Sequence, residues 1–150
     1  MNLKILQPIG WVLLLHSVAA LGLCSAERRK VMVTSTIDGS QQPCYVILPG
    51  SYLEEPAPAP LLVSLHTWSG DVEQRNMALE AEAEERGWIY LFPHFRGANR
   101  HPDACGSPLS QQDILVAVVW ACRVEKVDQR RIYLTGVSGG GHMTMLMVGR

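Results

Sequence analysis

The sequence has no excess charge of either sign, and that removes several functions at once. Thirteen Lys and Arg against fourteen Asp and Glu leave a formal net charge of −1 over 150 residues. Such a balance speaks against a broad surface for nucleic acid or for anionic membrane. The basic clusters are "ERRK" at 27–30 and "QRR" at 129–131, short pairs of the kind that simply face solvent. The four cysteines show no spacing that resembles a zinc site. No internal repeat or low-complexity tract appears, and the length is that of one ordinary domain. Beyond Ser138 there is no carboxylate, and the sole histidine there is His142.

The long apolar run near the N-terminus is also too short to be read as a membrane span. Lys4 supplies a positive start, "IGWVLLLHSVAALGL" at 9–23 an apolar core, and Cys24-Ser25-Ala26 a small-residue cleavage site. Residues 1–26 therefore read as a signal peptide, with cleavage near Ala26 and a secreted or periplasmic mature chain. No stable membrane association is expected after cleavage. An uncleaved anchor is the alternative, and Leu23 stands where a lipoprotein signal usually has a small residue. The mature chain keeps Cys44, Cys105 and Cys122, an odd number in a compartment that permits disulfides. Cys122 lies about twelve residues into a predicted helix that starts near Cys105, a separation of roughly 18 Å, so the two pair only if the loop folds back.

The remaining chain, 27–150, alternates strand and helix signals. "RKVMVTSTIDGSQQPCYVILP" (29–49) reads as two extended segments around the turn signal Asp38-Gly39. "LLVSL" (61–65) is a short apolar run of the buried parallel type. Asp71 to Arg86 is rich in Glu, Ala and Leu and predicts a helix stopped by Gly87, with Glu80, Glu82, Glu84 and Glu85 on a solvated face. "WIYLF" (88–92) is a second buried strand. Ser110-x-x-Asp113 reads as an N-terminal capping box for a helix through "QQDILVAVVWACRVE", whose all-round apolar character implies cover on more than one side. "RRIYLTG" (130–136) is a third strand, and "GGGHMTMLMVG" begins a helix. This order predicts an α/β architecture with a mainly parallel sheet.

Ligands bind such sheets at the carboxyl ends of the strands, where "HTWSGD", "PHFRGANR" and "GVSGGG" fall. Gly136-x-Ser138-x-Gly140 between a strand and a helix is a nucleophile-elbow pattern. A serine hydroxyl is a weak nucleophile unless a tight turn presents it to a base and to an electrophile. Gly136 and Gly140 are expected to be glycine because a Cβ there would collide with the neighbouring strand or helix. The N–H of Gly139, at a helix N-terminus, is the expected first oxyanion donor. The second should come from His66-Thr67-Trp68-Ser69-Gly70, with the N–H of Trp68 favoured over that of Thr67.

"VDQRRIYLTGVSGGGHM", "PLLVSLHTWSGD" and "FPHFRGANR" resemble the catalytic domain of the prolyl oligopeptidase family and its esterase relatives, within the α/β-hydrolase superfamily. The resemblance runs from about residue 30 onward. It implies a three-layer α/β-hydrolase fold and hydrolysis of a peptide or small ester through an acyl-enzyme on Ser138, with no metal or organic cofactor. Arg96-Gly97 is similar to the Arg-Gly after the corresponding strand of those peptidases. Phe95 replaces the acidic residue often found before that arginine, and His66-Thr67 replaces the usual His-Gly.

Chain order in this superfamily is Ser, then Asp or Glu, then His, and residues 139–150 supply neither partner. His142 lies about one helical turn below the serine, whereas a base must face Oγ from across the rim. His66, His94 and His101 precede the elbow; the first is expected to order its loop, the other two to be solvated or to face substrate. A metal site at His94 and Asp103 has only two candidate ligands. The expectation is thus the N-terminal half of a catalytic domain, truncated after the elbow helix, with the triad Asp and His beyond residue 150 and the 150-residue chain itself inactive. A secreted carboxylesterase of feruloyl or polyester type is the close alternative, and a non-catalytic α/β-hydrolase-like binding module the reading from another class.

Overall fold

In the computed structural model residues 24–148 are described, so the expected signal segment falls, apart from Cys24, Ser25 and Ala26, outside the described residues. β1 (Glu27–Thr34) and β2 (Gln41–Leu48) form an antiparallel hairpin. Gly39 turns it in the left-handed region at φ 72°, which glycine adopts without a Cβ penalty. A short helix α1 (Gly50–Glu54) leads to β3 (Ala59–Leu65), α2 (Met77–Glu85) and β4 (Ile89–Pro93). Then follow α3 (Pro108–Val124), β5 (Val127–Gly136) and α4 (Gly139–Met147).

The five strands make one mixed sheet in the order β1-β2-β4-β3-β5, with β4, β3 and β5 parallel. The period-2 alternation of strand side chains sorts the core into two halves. Leu61, Val63, Ile89, Leu91, Val46 and Leu48 face one way, onto Ile114, Ala117 and Ala121 of α3 and Met143 of α4. Leu62, Tyr90, Phe92 and Ile47 face the other way, onto Ala83 of α2. Helices thus cover both faces, and every residue of β3 and β4 is buried. Each such Leu or Ile contributes about 1.5–3 kcal/mol on burial. The three-layer α/β-hydrolase architecture is the observed one.

Four local expectations are corrected. Residues 71–76 are not helical: α2 begins after Asn76, whose side chain accepts the N–H of Leu79 (3.2 Å). Helix propensity extends upstream of that point, but a side-chain cap decides where the helix begins. Glu80 is not on a solvated face; it is buried, with Arg75 Nε at 3.1 Å from its Oε2. The cap of α3 is Ser107, whose Oγ accepts the N–H of Ser110 (3.0 Å), with Pro108 at the first helical position. Ser110 and Asp113 are therefore inside the helix, and Asp113 is free to pair elsewhere. Finally, α3 is covered on one face only: Val119 and Val124 are 47% and 53% exposed. All four cysteines are free thiols, with Cys44 buried and Cys105 exposed. Among the described residues no helix is long and apolar enough to cross a membrane.

Candidate active site

Three loops meet at the carboxyl ends of β3, β4 and β5. At the end of β5 the backbone of Ser138 has φ 56° and ψ −117°. A non-glycine residue reaches that region only when its surroundings over-determine it. The surroundings here are backbone. A Cβ on Gly136 would lie 2.4 Å from the Gly140 carbonyl carbon, and one on Gly140 would lie 2.4 Å from the Leu65 carbonyl oxygen. The turn is packed against the start of α4 and against the end of β3, so both positions exclude any side chain. Ser138 itself is exposed, and its Oγ has no hydrogen-bond partner among the described residues.

The loop after β3 is held from within. His66 is fully buried and stacks on Phe95, with ring centroids 3.8 Å apart and planes 3° from parallel. Its Nδ1 lies 2.9 Å from the Thr67 carbonyl oxygen and its Nε2 2.8 Å from that of His94. The ring thereby ties the loop after β3 to the loop after β4, the ordering role expected for it. Thr67 donates its N–H (3.1 Å) and its hydroxyl (2.8 Å) to Oε1 of Gln74. The N–H of Trp68 has no such partner among the described residues. Its nitrogen lies 2.5 Å from the position of a Cβ on Gly139. The N–H groups of Trp68 and Gly139 are therefore neighbours, at the N-terminus of α4 where backbone dipoles favour negative charge.

The loop after β4 contains three successive left-handed residues, Phe95, Arg96 and Gly97, at φ 35°, 77° and 77°. This reversal sends Phe95 beneath His66 and Arg96 to the opposite side. The Arg96 guanidinium donates to Asp113 Oδ2 (2.5 Å), to both oxygens of Asp38 (2.8 and 3.0 Å) and to Ser35 Oγ (3.1 Å). It pins the loop to the β1–β2 turn and to α3, and it holds the Asp38 carboxyl well below the usual carboxylate range, with help from Ser40. Further on, the N–H of Asn99 donates to the Trp68 carbonyl oxygen (2.8 Å).

The histidines do not gather around Ser138. His142 is exposed on α4 and its N–H donates to the Ser138 carbonyl (2.9 Å), as an ordinary helical residue does. Its ring sits by Gly106, with Cε1 3.3 Å from a Cβ placed there. His101 is exposed and its Nδ1 lies 3.4 Å from Asp103 Oδ2, so the acid considered as a partner for His94 sits with His101 instead. His94 is half-buried against Gly97, and burial, then the nearby His66, lowers its pKa. No group of three or more His, Cys, Asp or Glu that could hold a metal ion occurs among the described residues. Sequence reasoning did not find Gln74, Asp113 or Asn99 at this rim. Their roles depend on contacts across 7, 17 and 31 residues, and no local pattern signals them.

The fold is similar to that of prolyl oligopeptidase-like serine hydrolases of the α/β-hydrolase type. Acylaminoacyl peptidase from Pyrococcus horikoshii superposes with a TM-score of 0.65 and 26% identity, over 83% of this chain and 21% of that one. Oligopeptidase B from Leishmania major gives a TM-score of 0.67 at 15% identity, over 83% of this chain and 18% of that one. Est1E from Butyrivibrio proteoclasticus gives 0.60 at 24% identity, over 79% of this chain and 44% of that one. The chain thus spans about a fifth of the length of these peptidases. No protein-family model matches the sequence, nor does the sequence of any curated protein.

Proposed function

We propose that the chain carries the nucleophile half of a serine hydrolase active site, with Ser138 attacking an acyl carbonyl. The backbone of Ser138 carries this reading. A serine at φ 56° between a strand and a helix, flanked by two positions closed to any Cβ, is strained. The strain has a use if it lifts Oγ clear of the sheet toward a substrate.

In this mechanism a general base removes the hydroxyl proton as Oγ bonds to the carbonyl carbon. The carbonyl oxygen becomes an oxyanion between the N–H groups of Gly139 and Trp68. Both donors are part of the fold before substrate arrives, so they need no reorganisation as charge develops. Trp68 takes this part rather than Thr67 because Gln74 already occupies the Thr67 N–H. Collapse of the intermediate expels the amine or alcohol with the proton from the base, and water then repeats the sequence on the acyl-enzyme. In the order this superfamily uses, the base and its carboxylate come after the nucleophile.

The substrate is a peptide or a small ester. The peptidase reading rests on the Pyrococcus neighbour and on the Arg96-Gly97 turn. The esterase reading has its own observation: Phe95, where those peptidases often carry an acid, is buried on His66 and faces no substrate. We further propose export, with the mature chain beginning near Glu27, which N-terminal sequencing of the secreted protein checks.

The test is labelling of the full-length protein by an alkyl fluorophosphonate. Wild type is expected to react and Ser138→Ala to lose all label. Absence of label in the wild type would favour the non-catalytic binding module. Rates on an N-acyl peptide anilide against a p-nitrophenyl ester then separate peptidase from esterase.

A further inference from the structure

Asn99 is 2% exposed, and neither atom of its side-chain amide has a hydrogen-bond partner. Buried amides are almost always paired, and one that is not calls for a reason. Packing alone is not that reason, because a leucine of similar size would fill the same space without stripping water from two polar atoms.

The location of the amide suggests its use. Its Nδ2 lies 3.0 Å from the position of a Cβ on Gly139, and the backbone nitrogen of Trp68 lies 2.5 Å from that same point. The backbone N–H of Asn99 meanwhile holds the Trp68 carbonyl at 2.8 Å. One residue therefore bonds the Trp68 peptide and lies beside Gly139. Its own position is fixed by the left-handed turn at 95–97 and by the grip of Arg96 on Asp38 and Asp113.

We propose that Asn99 is a positioning residue of the oxyanion site. Its backbone N–H sets the orientation of the Trp68 peptide. Its unpaired amide, with Nδ2 beside Gly139, adds the positive end of a dipole next to the two donors. A dipole already oriented in a buried site favours negative charge that appears only during reaction. The amide acts through Trp68 and Gly139 and does not bind the substrate, so it stabilises the oxyanion more than the neutral carbonyl. This assignment rests on the reading of Ser138, Gly139 and Trp68 given above.

The experiment uses the full-length protein with p-nitrophenyl acetate or its preferred ester. Active sites are counted by fluorophosphonate titration, so that misfolded molecules do not enter kcat. In Asn99→Leu, kcat is expected to fall about tenfold or more, within the range seen when oxyanion stabilisation is weakened, with KM changed less than twofold. Affinity for a trifluoromethyl ketone, which presents an oxyanion to the site, should fall in parallel. Asn99→Asp, which places a carboxyl at the same point, should be slower than Asn99→Leu once that carboxyl ionises, and Asn99→Gln should recover part of the rate. Unchanged kcat per titrated site in Asn99→Leu overturns the proposal. So does a rise in KM with constant kcat, or a ketone affinity that does not follow kcat. Ser138→Ala run alongside separates the two assignments: label or turnover persisting there overturns the nucleophile and this inference together. Label lost there with an indifferent Asn99→Leu overturns Asn99 alone.

Discussion

The backbone nitrogen of Trp68 stands 2.5 Å from the point where a side chain on Gly139 would begin. The contact joins the loop after β3 to the first residue of α4 and leaves no room for a Cβ between them. Gly139→Ala should push the loop away and separate the two donors while leaving both N–H groups present. In the full-length protein kcat/KM is expected to fall about a hundredfold or more, with a stability loss of about 1–3 kcal/mol from overpacking. Ester turnover and a denaturant melt of the same preparation measure both; retention of full activity would show that the two peptides do not act as a pair.

Asp113 depends on Arg96. Its side chain is 2% exposed, and one oxygen lies 2.5 Å from Arg96 Nε. Asp113→Ala leaves a nearly buried guanidinium with Asp38, itself 40% exposed, as its charge partner. Loss of one member of a buried pair costs about 3–5 kcal/mol, and the remaining Asp38 places the expectation at the lower end. Urea unfolding of the two proteins tests this; a change below about 0.5 kcal/mol, the range of ordinary surface substitutions, would mean that Arg96 is held by Asp38 alone.

The two serines at the start of α3 make a sharp comparison. Ser107 Oγ accepts the N–H of Ser110, whereas the hydroxyl of Ser110 donates to the Ser107 carbonyl at 3.0 Å. Ser107→Ala should lose a helix cap and about 1 kcal/mol. Ser110→Ala, which removes no cap, should cost less. The reverse order in thermal melts would restore the capping box that the sequence suggests.

His94 should make stability fall in mild acid. Burial, then the neighbouring His66, depresses its pKa below the usual value near 6.5. Between the lowered folded value and about 6.5 the unfolded chain binds the proton more readily than the native one, so stability rises with pH there. Acidification below about 6.5 therefore progressively destabilises the protein, and His94→Gln should remove that part of the slope. Melting temperatures from pH 7 to 5 for both proteins decide it; parallel curves would assign the slope to other groups.

Much of this architecture can be read along the chain. The runs "LLVSL" and "WIYLF" are strands because short, mostly apolar stretches of that length fit a sheet covered on both faces, whereas "RRIYLTG" is exposed or half-buried and is legible from its β-branched and aromatic residues. The elbow was legible because its requirements are local: a serine between glycines that must lie against backbone. Where elements begin was less legible. The starts of α2 and α3 depend on which of several competent side chains takes the cap, Asn76 and Ser107 in the event, and propensity does not distinguish the candidates.

What the sequence determined by itself is the alternation of strands and helices and the identity of Ser138 as the residue at the strained turn, because both follow from patterns within a few residues. Only the tertiary structure decided that Gln74 takes the Thr67 N–H, that Phe95 lies beneath His66, and that Arg96 and Asn99 secure the rim. Those roles arise where β3, β4 and β5 bring their ends together. A hydrogen bond from Asn99 to Trp68, or a ring stacked on His66, exists only after the sheet has set the spacing between loops that are far apart in sequence.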